Sequence, residues 1–336
     1  MRRSTVFRAL GAVLVIAGAA YSAFWWIAAG KIAAAASAWR EAARQQSIDA
    51  SWQGMRVAGY PLSFRLELTD FAIKAPGTVP PVEAQAPLLT ASVRPWDFHT
   101  VRFATLQGVD ATAEPQALAK LTAQSASGAA AFNDDGTTVW LSLHQAKAGG
   151  GLALAAKTVH LWVTLPSQAP ATHQDTEVAL AIDAHELTPP LTPPGFSGAI
   201  DDLAFGVTMR GAFPSGPLRQ AATAWRDSGG TLELDHLHLR WGETDISGSG
   251  TLALDNNLQP VGGFSGGVSG FDQLLSALVA SGRIKAGDAR VARLALAMLA
   301  KAGPDGRPEI STSFAIQDGQ MYLGPAKLGP APRIEW

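Results

Sequence analysis

The chain has 336 residues, no cysteine and a net charge of −2, and its first thirty residues carry three Arg and no acid. Without cysteine there is no disulfide, thiolate metal site or cysteine nucleophile. A body of negative sign without clustered Lys and Arg excludes nucleic acid as a partner. Apolar residues make up 47% of the chain and charged ones 16%, enough for a packed core, while 34 Gly and 21 Pro favour short strands and turns over long helices.

Ala9–Gly30 contains no charged residue; Arg2, Arg3 and Arg8 precede it and Lys31 follows it. A run of about 20 apolar residues is long enough to cross a bilayer as a helix. This predicts a single-pass anchor in the inner membrane, with the Arg residues held in the cytoplasm and the body in the periplasm. Trp25 and Trp26, near the far end, suit a membrane interface. Ala36-Ser37-Ala38 also fits a signal-peptide cleavage site, but the apolar run exceeds the about 7–15 residues of such a segment, which favours an uncleaved anchor. The expected organisation is a cytoplasmic tip and anchor (1–30), a helical stalk (31–48), a first strand-rich half (49–188), a Pro-rich connector (189–198) and a second strand-rich half with helices (199–336).

In the first half, Tyr60, Leu62, Phe64, Leu66 and Leu68 alternate with polar residues or Pro, predicting a half-buried strand over 60–68. The apolar set then moves to Phe71 and Ile73, which reads as a bulge or turn at Asp70. Residues 75–87, with four prolines, read as a loop. Strands are expected over 88–93, 101–109, 138–145, 151–165 and 177–187, and 114–125 is ambiguous between helix and strand. In the second half, 200–210 reads as a strand, and 218–227 as a helix capped by Ser215 and ended by Gly229-Gly230. Leu232 and Leu234 alternate, then Leu237, Leu239 and Trp241 resume one place out of step, predicting a bulge at Asp235-His236. Further strands are expected over 251–254, 261–269, 310–316 and 321–323, with turns at Asp255-Asn256-Asn257 and Asp318-Gly319. Residues 271–281 and 288–302 have helical apolar periods, with Asp288 placed to cap the second. The fold class is therefore mainly β with α (α+β): a transmembrane helix, an elongated antiparallel sheet body, and two C-terminal helices packed on one face through their apolar stripes.

Three segments carry a resemblance. They are Gly59-Tyr60-Pro61-Leu62-Ser63-Phe64-Arg65-Leu66 after Trp52; Leu239-Arg240-Trp241-Gly242 with Gly250–Asp255 and Gly270–Leu275; and Asp318-Gly319-Gln320-Met321-Tyr322-Leu323-Gly324-Pro325. Together they resemble the bacterial family catalogued as domain of unknown function 2125, over nearly the whole chain. That family is similar in style to AsmA-type envelope proteins, whose larger members are associated with phospholipid movement through a hydrophobic groove. The resemblance implies an anchored periplasmic body and brings no catalytic residues.

The residues offer few chemical sites. Gly263-Phe264-Ser265-Gly266-Gly267 matches the elbow of serine hydrolases, but no histidine follows His238 to complete the triad in chain order. His236 and His238 have the spacing of a strand-borne ligand pair without an identifiable third ligand. Asp134-Asp135 and Asp201-Asp202 read as solvated turn and strand residues. No phosphate-binding glycine loop is present. The expectation is a non-enzymatic envelope protein, without cofactor or metal, whose partners are the bilayer and a lipid ligand or envelope protein. The apolar face would be carried by Tyr60, Leu62, Phe64, Leu66, Leu237, Leu239 and Trp241. The alternatives are a purely structural scaffold with a closed core, and a hydrolase using Ser265.

Overall fold

The computed structural model describes all residues except 1, 78–80, 114–118, 150–152, 197, 304–305, 325 and 336; the side chains of residues 2–12, 119 and 326 also lie outside the described residues. The chain divides into two compact units, 1–131 with 149–151, and 132–148 with 152–336. The Pro-rich stretch 189–198 falls inside the second unit. Among the described residues, every strand pairing within the units is antiparallel.

The first unit opens with α1 (Arg2–Gln45), a 44-residue helix that runs through the apolar segment and the Ala-rich stretch without a break. It is long and apolar enough to cross a membrane. Seven strands lie within this unit: β1 (Asp49–Ser51), β2 (Gly54–Ala58), β3 (Phe64–Ala75), β4 (Val82–Arg94), β5 (Asp97–Thr105), β6 (Val109–Ala113) and β7 (Ala119–Ala123). β8 (Ser125–Asn133) begins here and pairs with β5. The core joins helix to sheet: Trp25 stacks on Phe64 at 5.4 Å between ring centroids, with Ala29 beside them and Ile32, Val57 and Val93 packed around.

Several expectations are corrected here. The strand expected from Tyr60 begins only at Phe64. Gly59 turns the chain with φ +100°, the Tyr60–Pro61 peptide is cis, and Ser63 N donates to Gly59 O at 3.0 Å, so residues 60–63 form a turn. Tyr60 and Leu62 are exposed rather than on the sheet's inner face. At Asp70 the pairing register is kept, Thr69 facing Leu88 and Phe71 facing Ala86. Asp70 itself takes φ +51°, which swaps the faces, and it stands opposite Pro87, which has no donor to offer. That match lets Pro87 sit inside β4, so the expected loop over 75–87 is strand from Val82 onward. The strand expected over 101–109 is two strands, β5 and β6. Of the ambiguous stretch 114–125, residues 119–123 are strand and 114–118 lie outside the described residues.

The second unit contains β9 (Gly136–Gly149), β10 (Leu154–Pro166), β11 (Thr176–Thr188), β12 (Ile200–Arg210), β13 (Thr231–Trp241), β14 (Thr244–Leu254), β15 (Pro260–Ser269), β16 (Lys301–Ala302), β17 (Pro308–Gln317), β18 (Gln320–Leu323) and β19 (Ala326–Pro330), with helices α2 (Leu218–Asp227), α3 (Phe271–Ala280) and α4 (Ala286–Leu299). Of the strand expected over 151–165, residues 151–152 lie outside the described residues. β9 to β15 pair in chain order and β17 follows β15. The bulge at Asp235-His236 is present, since Leu234 pairs with Gly250 and Leu237 with Gly248. Asp255 Oδ1 accepts from Asn257 N and Gln259 N, each at 2.8 Å, closing the expected turn. Asp318 and Gly319 both take positive φ at the β17–β18 hairpin.

The helix starts differ from expectation. Pro217, not Ser215, is the N-cap of α2, and Lys285, not Asp288, is that of α4; neither cap makes a side-chain hydrogen bond. α4 ends at Leu299, and Lys301 already pairs in β16. α4 does not bury its apolar stripe, whereas α3 buries Phe271 and Leu275 of its own. α3 is tied to the β13–β14 hairpin, where Gln273 Oε1 accepts from Glu243 N at 2.9 Å and Thr244 N at 3.1 Å, satisfying two hairpin amides. α4 is fastened to α3 by Arg293 Nε on Asp272 Oδ1 at 2.5 Å. Its contact side is Ala289, Ala292, Arg293 and Leu296; the expected core stripe Val291, Leu294, Ala295, Met298 and Leu299 is exposed.

Candidate functional site: an apolar groove floored by glycine

The register of β13, β14, β15 and β17 builds the site. Alternate residues of a strand share a face, so paired residues line up in rows across the sheet. One row is Leu239, Ile246, Val268 and Ile310; another is Leu234, Gly250, Phe264, Phe314 and, on β18, Leu323. Between them runs Leu237, Gly248, Gly266 and Thr312. The middle row has no side chain at its two central positions, so the two flanking rows become walls and the glycines a floor. The result is an open groove of about 370 Å³, lined on its walls by Leu234, Leu237, Ile246, Phe264, Val268, Phe314 and Leu323, with no charged side chain among its described lining. That volume falls in the range of about 300–1,000 Å³ usual for ligand sites. The wall side chains are half-buried except Leu323, which is exposed at the rim, so the face is neither sealed nor fully wet.

The same rows extend across the second unit. Val139, Val163, Leu180 and Val207 lead into Leu234, and Leu143, Val159, Ala184 and Leu203 lead into Leu239. The oily face is therefore continuous from β9 to β18 within that unit.

Across β13–β15 and β17 the opposite face is polar. Ser249, Ser265 and Ser313 form one row, and His238, Ser247, Gly267 and Ser311 another. Ser265 sits mid-strand, not on a strand-to-helix turn, so its sequence match does not form a nucleophile elbow. His236 lies over Gly206 on β12, and His238 Nε2 is 3.2 Å from Asp245 Oδ1. Among the described residues no group of three His, Asp or Glu side chains is placed to hold a metal ion.

His185 Nδ1 lies 2.6 Å from Asp202 Oδ1, and Arg240 Nη2 binds the other carboxylate oxygen. The His185 hydrogen bond holds the Asp202 carboxyl below its ordinary range; burial opposes this and Arg240 adds to it. A carboxyl lowered in the folded state stabilises above its unfolded pKa and stops doing so as pH falls through its folded value. Asp202→Asn is accordingly expected to lower the urea midpoint at pH 7, with the gap to the parent protein closing as pH is taken towards 3.

Of the other residues expected to form the apolar face, Phe64 is 1% exposed and belongs to the core of the first unit. Leu66 is half-buried on β3, Leu237 is a groove wall, Leu239 lies in the next row, and Trp241 is buried at 4.4 Å from Phe196. Trp25, expected at a membrane interface, is 3% exposed against Phe64, whereas Trp26 is 71% exposed. Lys31, at the end of the apolar run, is exposed; Arg2, Arg3 and Arg8 have side chains outside the described residues.

A family model matches residues 25–332, described as an uncharacterized protein conserved in bacteria (DUF2125). The chain belongs to the DUF2125 family. Neither a curated protein nor a solved structure matches it. In this DUF2125 protein the three familiar segments have distinct places. Gly59–Leu66 is the turn clamped on α1 and the start of β3. Leu239–Asp255 runs through the β13–β14 hairpin beside the groove, and Asp318–Leu323 is the hairpin that adds the last wall residue. The glycine floor has no local sequence signal: Gly248 and Gly266 are 18 residues apart in the chain and are brought together by the β14–β15 register.

Proposed function

We propose that this DUF2125 protein is an inner-membrane-anchored protein whose periplasmic body binds a lipid acyl chain in the groove of β13–β15 and β17. The observation that carries the reading is the groove itself: hydrocarbon walls, a floor without side chains, and no charge to recognise a polar ligand. Burying apolar area contributes about 25 cal/mol per Å², so an exposed oily channel of this kind favours a hydrocarbon occupant. The half-open face also argues against the closed scaffold.

The anchor has its own support. Tyr21 and Ser22 of α1 hydrogen-bond to Pro61 O and Tyr60 Oη, and Trp25 Nε1 donates to Ser63 O at 3.2 Å. This fixes the 60–63 turn beside the helix and gathers exposed Phe24, Trp26, Tyr60 and Leu62 at one level. Such a collar of aromatic and apolar side chains suits the interface of a bilayer crossed by the preceding part of α1. Arg2, Arg3 and Arg8 put the N-terminus in the cytoplasm.

Native mass spectrometry of the full-length chain released from detergent micelles tests the groove. We expect a retained phospholipid adduct, reduced at least tenfold by Leu323→Asp. That side chain is 43% exposed at the rim, where an introduced carboxylate stays in contact with water. Bare polypeptide from both proteins, or equal adducts on both, would refute lipid binding there.

A further inference from the structure

The exposed stripe of α4 is not accounted for by the groove, whose lining includes no helix residue. Val291, Leu294, Met298 and Leu299 are each at least 65% exposed. They recur at helical spacing and form one contiguous apolar strip on the side away from α3. The strip is set in positive charge. Residues 283–301 contain Arg283, Lys285, Arg290, Arg293 and Lys301 against the single acid Asp288, in a chain whose total is −2. Arg293 is engaged with Asp272, while Arg283, Lys285, Arg290 and Lys301 are exposed.

We propose that α4 is an interfacial helix that docks on an anionic bilayer surface. A helix with an apolar strip and flanking Lys and Arg lies in the plane of the interface, its strip among the acyl chains and its cations among the headgroups. The charge selects this occupant over a second copy of the chain, because two copies facing through α4 would bring their basic flanks together. Each cation near an anionic leaflet contributes about 1 kcal/mol, which makes attachment depend on lipid charge and on salt. The proposal stands apart from the groove, whose described lining carries no charge, and from α1, which belongs to the first unit.

The absence of cysteine allows a clean test on the full chain. Met298→Cys carries an environment-sensitive dye, and Gln168→Cys, in an exposed loop of the same unit, serves as reference. Protein is reconstituted into vesicles of phosphatidylglycerol and phosphatidylethanolamine, or of phosphatidylcholine alone. We expect a blue-shifted dye at 298, quenched by spin-labelled lipid, only in the anionic vesicles. We further expect the signal to fall at least fivefold with Lys285→Glu plus Arg290→Glu, and in 1 M salt, where charges beyond about 3 Å are screened. The dye at 168 stays water-like, and Leu323→Asp leaves the 298 signal unchanged. A water-like dye at 298 in anionic vesicles overturns the proposal. So does a blue shift that ignores lipid charge and grows with protein density, which would mark self-association.

Discussion

Phe64→Ala is expected to lower the unfolding free energy of the first unit by about 3–5 kcal/mol. Phe64 is the largest apolar side chain there that is fully buried. It stacks on Trp25 and lies at 6.1 Å from Phe98 and 6.4 Å from Phe24. Its removal opens a cavity between α1 and β3 that the flanking Ala28, Ala29, Val57 and Val93 are too small to fill. Because Trp25 then faces that cavity, its emission should move to the red at denaturant levels where the parent is still folded. Phe98→Ala, at a ring that is 53% exposed, should cost much less. Urea unfolding in detergent, followed by near-ultraviolet circular dichroism, checks both; equal costs would mean that the ring stack does not hold the helix to the sheet.

Gly266→Ala is expected to destabilise the second unit by about 1–3 kcal/mol, and to lose the lipid adduct with it. A β-carbon at Gly266 would lie 2.3 Å from Ser247 O and 3.2 Å from Gly248 Cα. Both neighbours are backbone of the paired strand, so neither yields without breaking the ladder. The control is three residues away on the same strand: Gly263 has nothing within 4 Å of its would-be β-carbon. Gly263→Ala should therefore be neutral or slightly stabilising, since alanine loses less chain entropy on folding. A neutral Gly266→Ala would show that the floor is looser than the register implies.

Much of the strand framework was legible because one face of each strand is oily. The one-place slip in β13 announced its bulge, and Asp318-Gly319 announced its hairpin. The misreadings share a cause: periodicity reports which residues are alike, not what they face. Tyr60 and Leu62 continue the alternation of β3, yet Gly59 and Pro61 take them out of the ladder and onto the side of α1. Ser125–Asn133 carries no strand signal, because it is rich in Ala and holds a Gly, both depleted in strands; pairing with β5 overrides that. On α4 the periodicity picks out a true apolar stripe and implies a core contact, but Ala289, Ala292 and Leu296 make the contact instead. Of the groove, Leu237 was legible as a wall. The floor was not, because long-range register alone brings Gly248 and Gly266 together.

The most direct test of lipid binding by the sheet is to locate a photoreactive phospholipid on the full-length protein in membranes. The lipid carries its diazirine at mid-chain, and labelled peptides are sequenced after irradiation. Lipid-binding in the groove predicts label on β13–β15 and β17 peptides around Leu237, Phe264 and Phe314, in addition to α1. Label confined to α1, with the β13–β17 peptides unmodified, would contradict it.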